Sequence, residues 1–126
     1  MRKVDWLVWC RNAKNVACRG GDLIVRLQTG RSQRVAVQFT EETLEFTSIV
    51  ARCSALNFDD DLHMRVWQRN RSVQGVGFGV DDKNRIVARA WMPIVGATKD
   101  EFLECLRHLA AEADLFEYQL TGKDRS

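Results

Sequence analysis

The chain has 126 residues, of which 45% are hydrophobic and 29% are charged, and its formal net charge is +2. This length fits one domain whose core is large enough to fold without a metal or disulfides, and the composition is ordinary for a folded, soluble protein. No apolar run is long enough to span a bilayer. Charged residues such as Asp5 and Arg11 interrupt the N-terminal apolar residues, so no signal peptide is indicated and cytoplasmic residence is expected.

The first half of the chain predicts a short helix, three strands and a second helix. Residues 1 to about 12 have a short helical pattern, and Gly20-Gly21 breaks the chain after it. Alternation over 23–28 and 33–40, on either side of a turn at 29–32, predicts a β-hairpin. Residues 44–53 predict a third strand, with a bulge where the alternation slips between Phe46 and Ile49. The second helix is expected over about 60–69, capped by Asn57 or Asp59.

The second half predicts a hairpin that leads into one long amphipathic helix. Residues 75–80 alternate glycine with apolar side chains, 81–84 form a turn, and 85–92 return as a strand that Pro93 ends. Thr98 and Glu101 have the spacing of a capping box, and Gly122 is expected to stop the helix. The apolar residues that recur on a single helical face are Phe102, Leu106, Leu109, Ala113, Phe116 and Leu120.

This order of elements predicts a single α+β domain over residues 1–126. Strands joined by short turns are antiparallel neighbours, and helices packed on such a sheet form a second layer. We therefore expect two layers and a five-stranded antiparallel sheet with helices, in the order α-βββ-α-ββ-α.

Three alternate glycines, Gly75, Gly77 and Gly79, lie within a predicted strand. A phosphate-binding loop would place its glycines between a strand and a helix, so close packing is the preferred explanation. Alternate glycines clear one face of a strand, which lets a helix, a partner subunit or a ligand backbone approach. The long helix of the same chain and a second copy are both candidates to fill that space. The sequence does not fix the register, so it leaves open whether Trp91 and Arg89 lie on the same side of the sheet as these glycines or on the opposite side.

The cysteines and histidines show no pattern that predicts catalysis or metal binding. None of the cysteines forms a Cys-x-x-Cys pair, and none stands at metal-ligand spacing from a histidine. Reduced thiols fit better, and we expect no metal, no cofactor and no enzymatic activity. The residues concerned are Cys10, Cys18, Cys53, Cys105, His63 and His108.

Charge is distributed unevenly along the chain. Residues 1–34 hold eight bases and two acids, whereas residues 35–62 hold one base and six acids. Such a division is compatible with a basic binding surface, or with charge complementarity inside the fold or across a dimer. Scattered surface charge is the preferred explanation, because no dense block of Lys or Arg occurs.

Several sequence features together resemble the YbjN family, which is grouped with bacterial type III secretion chaperone-like proteins. These features are the order of elements, the hairpin at 30–35, Asn70 before the glycine strand, and the ending at 110–118. The resemblance covers about residues 22–124 and implies a small α+β domain that forms a homodimer. YbjN proteins are described as regulators of sensory transduction, and secretion chaperones bind unfolded segments of exported effectors. No catalytic or ligand-binding residue is carried over.

We therefore predict a non-catalytic, chaperone-like or regulatory homodimer that recognises a segment of a partner protein through apolar grooves and an exposed strand edge. No membrane partner is expected, and Trp67 is expected in the core. A nucleic-acid-binding regulator is the alternative, although no aromatic residues stand among the arginines that would form its basic sheet face. Those arginines are Arg26, Arg34, Arg52 and Arg89. The predicted partner-binding residues are Trp6, Trp9, Trp91, Gly75, Gly77, Gly79 and Arg89.

Overall fold

The computed structural model describes residues 6–52, 60–72 and 75–121. Their strands form one antiparallel sheet in the order β1-β2-β3-β4-β6-β5. Helix α3 packs on β3, β4 and β6, α1 packs on α3 and β1, and α2 packs on the edge strand β5. Within the described ranges, no helix is both long and apolar enough to cross a lipid bilayer. The elements are α1 (Trp6–Arg11), β1 (Val16–Arg19), β2 (Asp22–Arg26), β3 (Ser32–Phe39), β4 (Thr43–Arg52), α2 (Asp60–Ser72), β5 (Gly77–Val80), β6 (Arg85–Pro93) and α3 (Lys99–Thr121).

The α+β class and the antiparallel sheet are confirmed, but the described sheet has six strands and not five. The additional strand is β1, which pairs with β2 through a turn at Gly20 and Gly21. Both glycines have positive φ, 61° and 87°, as the two-residue turn of a tight hairpin requires. The sequence pattern predicts only a break in the chain at this pair. Strand β1 is short and almost fully exposed, so it has no hydrophobic alternation by which sequence could reveal it.

The apolar face predicted for the long helix is confirmed. Phe102, Leu106, Leu109 and Ala113 are fully buried, Phe116 is nearly so, and Leu120 is half-buried. The helix begins at the predicted cap, where the Glu101 N–H donates to Thr98 Oγ1 at 3.2 Å and the Thr98 hydroxyl donates to the Glu101 carboxylate at 3.2 Å. The expected stop at Gly122 lies outside the described residues, as does the expected cap of α2 at Asn57 or Asp59.

Two tryptophans lie in places opposite to those predicted. Trp6 was expected on a binding surface, but it is 8% exposed and stacks on Phe102 with ring centroids 6.1 Å apart. Trp9 is half-buried, with its centroid 5.4 Å from the same ring. Trp67 was expected in the core, but it is 53% exposed. The reason is that α1 packs on α3 over the end of the core, whereas α2 packs on the edge strand β5 and contacts α3 through Arg65 and Arg69, so that Val66 is buried but Trp67 is not.

The register of β4 shifts between Ile49 and Ala51, later along the strand than the predicted interval. Two buried polar side chains lie beside this irregularity. Gln33 Nε2 donates to Ser48 Oγ at 2.9 Å and to the Ile49 carbonyl at 3.1 Å, and the Ser48 hydroxyl donates to the Arg34 carbonyl at 2.8 Å. These bonds satisfy groups that would be costly to bury unpaired.

We expect Leu106→Ala and Leu109→Ala each to lower the free energy of unfolding by about 2–5 kcal/mol, because both side chains are fully buried in the core. Leu115→Ala is the matched control on the same helix, since Leu115 is 42% exposed, and it should cost less than about 1 kcal/mol. Urea denaturation followed by circular dichroism measures all three. Equal losses for the three variants would contradict the assignment of the buried face.

Candidate protein-interaction face

The register of the C-terminal hairpin places the glycines and Trp91 on one face. Gly77 pairs with Arg89 and Gly79 pairs with Val87. Paired residues share a face of the sheet, and side chains two apart on a strand do so as well. Trp91 therefore lies on the same face as the two glycines, which answers the question that sequence left open. We call these five residues the glycine corner: Gly77, Gly79, Val87, Arg89 and Trp91.

No helix among the described elements fills the glycine side of β5. A side-chain carbon added at Gly77 or at Gly79 would have no neighbouring atom within 4 Å. Phe78, between them, points the other way and meets Phe116 of α3 edge-on, with centroids 5.1 Å apart. The explanation that α3 occupies the glycine face within the same chain is therefore wrong, because α3 covers the opposite face.

Gly75 has a different place from the other two glycines. It precedes β5 and has a positive φ of 79°, so it turns the chain into the strand and does not clear a strand face. Its backbone still lines an open groove of about 870 Å³ beside the glycine corner. The other residues that line this groove are Gln38, Glu45, Phe46, Thr47, Val76, Gly77, Arg89, Ala90 and Trp91.

A large aromatic side chain stands at this groove without cover. Trp91 is 66% exposed, and its partner across β4 is Glu45. Arg89 is exposed between Thr47 and Gly77 in the same row of the sheet. An exposed tryptophan beside bare backbone combines a protruding apolar group with a depression, and tryptophan and arginine are favoured at protein interfaces.

Helix α2 extends this apolar surface at the sheet edge. Its Arg65 and Arg69 face α3, where they bond to the Gln119 carbonyl at 2.8 Å and to the Glu112 carboxylate at 2.7 Å. Its Asn70 faces the edge of β5. Successive residues of a helix are about 100° apart, so Trp67 lies on the flank beyond Asn70, away from α3. It therefore points towards the sheet face that carries the glycine corner, which we call the open face. The Arg71 guanidinium lies over the Trp67 ring, 4.9 Å from its centroid.

The edge of β5 is closed by the side chain of Asn70. Its amide nitrogen donates to the Phe78 carbonyl at 2.8 Å, and its amide oxygen accepts from the Phe78 N–H. One side chain thus occupies both edge-facing backbone groups of Phe78. At the other end of the sheet, β1 pairs with β2 and with no other described strand. Strand addition, where it occurs on this sheet, is therefore favoured at β1.

The expectation that the four arginines share a sheet face is confirmed. Arg34 pairs with Ile24, and Arg26 lies two residues from Ile24 on the same strand. Arg89 pairs with Thr47, which in turn pairs with Ala36, two residues from Arg34. Arg52 pairs with Arg85, so all four arginines lie on the open face. Their positive charge is partly balanced, because Arg34 pairs with Asp22 at 3.1 Å. The neighbouring Arg85 pairs with Asp81 at 2.7 Å, and hydrogen bonds from Arg85 hold the pKa of the Asp81 carboxyl below its usual value.

The cysteines that the structure describes are free thiols, and two of them, Cys10 and Cys18, line the same shallow groove between α1 and β1. Cys10 is buried, Cys105 is half-buried and Cys18 is exposed. Burial raises the pKa of the Cys10 thiol and of the Cys105 thiol to about 11. In the described ranges, no three His, Cys, Asp or Glu residues are grouped closely enough to hold a metal ion. Cys53 lies outside those ranges.

No protein family model matches the sequence, and no curated protein matches it. Solved structures do resemble it. The ExoU–SpcU complex of the Pseudomonas aeruginosa type III secretion system superimposes with a TM-score of 0.62 at 14% identity, covering 92% of this chain and 98% of the other. The Yersinia pestis type III secretion chaperone SycH, in complex with a fragment of YscM2, superimposes with a TM-score of 0.52 at 12% identity. The match covers 86% of this chain and 96% of the other.

The fold is that of the type III secretion chaperones. YbjN from E. coli, a candidate transcription regulator, has the same chaperone-like fold, with a TM-score of 0.53, 18% identity and coverage of 91% and 89%. The resemblance predicted from the sequence is therefore confirmed at the level of the fold.

Replacement of Asn70 tests the closed edge. In Asn70→Leu we expect the Phe78 amide to lose protection against hydrogen exchange and the free energy of unfolding to fall by about 1–3 kcal/mol, because two backbone groups lose their partner. Asn70→Asp is the control, since a carboxylate still accepts from the Phe78 N–H and should keep that amide protected. Unchanged exchange in the leucine variant would show that the amide does not guard the edge.

Thiol chemistry gives a second test. Iodoacetamide at about pH 7.5 should modify Cys18 first, because the raised pKa of Cys10 and Cys105 keeps both protonated. A folded-state pKa above the unfolded value favours folding below about pH 9, and that contribution is lost as the pH rises towards 11. Peptide mapping by mass spectrometry measures the order of modification.

All four cysteines should be reduced and should bind no metal. Elemental analysis showing about one zinc per chain would contradict this prediction.

Proposed function

We propose that this protein is a non-catalytic, chaperone-like homodimer that binds a segment of a partner protein. The observation that carries the proposal is the glycine corner, where bare backbone and a 66% exposed tryptophan stand on a sheet face that no described helix covers. Monomeric proteins rarely leave large apolar side chains grouped and exposed, and such patches mark protein interfaces.

Exposed apolar side chains of α2 support the proposal. Besides Trp91 on the sheet, Met64 and Trp67 of α2 are 50% and 53% exposed. Met64 and Trp67 are three residues apart and lie on neighbouring flanks of the helix. Together with the glycine floor they offer both protruding groups and a depression that receives them.

A two-fold axis suits such a surface, since one self-complementary patch then serves both subunits. In the proposed dimer, a tryptophan of each subunit fills the space above Gly77 and Gly79 of the other. Glycine weakens a strand, and burial of an aromatic side chain against the bare backbone offsets that cost.

Binding of a partner segment is supported by the similar structures. The ExoU–SpcU and SycH–YscM2 structures are complexes of two different proteins. In the present chain, the backbone edge of β1 is the proposed site for an extended partner segment, because Asn70 already occupies the edge of β5.

A nucleic-acid-binding regulator is the second candidate function. The observation that favours it is the common face of Arg26, Arg34, Arg52 and Arg89. The ion pair between Arg34 and Asp22 reduces the free positive charge, and the described part of this face offers Trp91 alone for base stacking.

Gly77→Leu tests the homodimer. The added side chain meets open space within the subunit, so the variant should keep its fold but lose the dimer. Light scattering at high micromolar concentration should give twice the chain mass of 14.5 kDa for wild type and one chain mass for the variant. Ala17→Leu adds the same bulk at an exposed position at the other end of the open face and should remain dimeric. A monomeric wild type, or a dimeric Gly77→Leu, would contradict the proposed interface.

The same proteins test what the dimer binds. Affinity capture from a bacterial lysate, with and without nuclease, should give a protein that survives nuclease treatment and rebinds when purified. Loss of all bound material after nuclease would support the second candidate function and contradict partner-protein binding.

A further inference from the structure

The groove between α1 and β1 brings two thiols together. It has a volume of about 320 Å³, and its lining is formed by Cys10, Arg11, Val16, Ala17 and Cys18. Cys10 is buried and Cys18 is exposed, and both are free thiols in this structure. A sheltered thiol and an accessible thiol therefore lie beside each other.

Strand pairing shows which way Cys18 points. Cys18 pairs with Leu23, and Leu23 pairs with Val35. Leu23 and Val35 are fully buried, and paired residues share a face of the sheet. Cys18 therefore lies on the face that the helices cover, and α1 packs on β1 from that side. Cys10 belongs to the buried core beneath α1, so the two thiols approach the same interface from its two walls.

The short connection between α1 and β1 holds the cysteines in this arrangement. The Ala13 N–H donates to the Cys10 carbonyl at 3.1 Å. Asn15 has a positive φ of 64°, and its carbonyl accepts from the Arg26 N–H of β2 at 2.8 Å. The connection is thus bonded both to the end of α1 and to the sheet, and seven residues bring the chain back from Cys10 to Cys18.

The two sulfur atoms are close enough for the charge of one to affect the other. Burial and, to a smaller extent, the negative charge of a neighbouring Cys18 thiolate raise the pKa of the Cys10 thiol to about 11. The pKa of Cys105 is raised to about 11 as well, but there the neighbouring charge is that of Glu104 and not of a second thiol. Because the thiolate is the reactive form, the accessible Cys18 reacts with an oxidant before Cys10 does.

We infer that Cys10 and Cys18 form a reversible disulfide when the protein meets a peroxide, and that this bond ties α1 to β1. The inference stands apart from the proposed function, because it requires neither a dimer nor a partner segment. The oxidant is named by its class, and the two thiols supply the electrons.

The reaction has two steps. The Cys18 thiolate attacks one peroxide oxygen, the O–O bond breaks, and the departing hydroxide takes up the proton that the thiol released, which gives a sulfenic acid and water. The Cys10 sulfur then attacks the Cys18 sulfur, the S–O bond breaks, and the hydroxide leaves with the Cys10 proton as a second water. Two thiols lose two electrons in total, and the peroxide gains them.

The bond should stabilise the fold. A disulfide from Cys10 to Cys18 closes a loop of nine residues, which removes conformations from the unfolded chain. We expect the melting temperature of the oxidised protein to exceed that of the reduced protein by about 5–10 °C. Reduction with dithiothreitol should restore the lower value. An unchanged or lower melting temperature would show that the bond does not secure α1 on β1.

Peptide mapping identifies the bond directly. Reduced protein at low micromolar concentration receives a small excess of hydrogen peroxide, catalase removes the remainder, and iodoacetamide blocks the free thiols. Trypsin cleaves after Arg11, Lys14 and Arg19, so the two cysteines fall in peptides 4–11 and 15–19. Without reduction, mass spectrometry should find these two peptides joined and lighter by two hydrogen atoms than their sum.

Three variants assign the roles of the thiols. Cys18→Ser, at an exposed position, should lose the joined peptides and keep Cys10 as a free thiol. Cys10→Ala should also lose them and should accumulate a sulfenic acid on Cys18, which dimedone traps. Cys105→Ala is the matched control, since it removes a thiol of similarly raised pKa that does not line the groove. It should form the joined peptides as wild type does.

Three results would overturn the inference. The first is a main product that is a dimer joined through Cys18 on a non-reducing gel. The second is a wild-type protein in which Cys18 oxidises to the sulfinic acid while Cys10 stays a free thiol. The third is an equal yield of the joined peptides in concentrated urea, because the short spacing along the chain, and not the fold, would then bring the thiols together.

Discussion

The structure depends on one long helix that covers a single face of the sheet. The buried face of α3 packs on β3, β4 and β6, and Phe102 near the start of this helix contacts the rings of Trp6 and Phe46. Burial of these side chains supplies the main stabilising free energy. The described helices cover only this face, so no described helix lies on the other face of the sheet. The glycine corner lies on that second face, and its openness follows from the position of α3.

The two ends of the sheet differ in what they offer to a partner. At the β5 end, Asn70 closes the backbone edge while glycines and tryptophans leave the face open. At the β1 end, no described strand pairs with the backbone edge, and a groove between α3 and β2 lies beside it. A surface that favours contact between faces suits a second copy, whereas an edge with an adjoining groove suits an extended segment. One subunit has room for both interactions at once, because the two regions lie at opposite ends of the strand order.

Ion pairs link the helices to the sheet and also decide where charge remains free. Arg31 of the β2–β3 turn is paired with the buried Asp114 of α3, and Arg69 of α2 is paired with Glu112. Asp114 and Glu112 are already paired within the fold, so their negative charges do not balance the basic residues near β1. The basic residues near β1 are brought together only by the fold, since the Arg107 guanidinium of α3 donates to the Lys14 carbonyl at 3.0 Å.

The sequence alone determined the features that depend on neighbours along the chain. Periodicity predicted α3, its buried face and the two hairpins, and the spacing of Thr98 and Glu101 predicted the cap, because these patterns follow from the geometry of a helix or a strand. Contacts between distant residues decided the rest. Trp6 is buried because α1 packs on α3, whereas Trp67 is exposed because α2 directs Val66 and its arginines, and not Trp67, towards β5 and α3. The openness of Gly77 and Gly79 and the hydrogen bonds of Asn70 to Phe78 likewise required the packed fold, since local pattern specifies which face is apolar but not which element covers it.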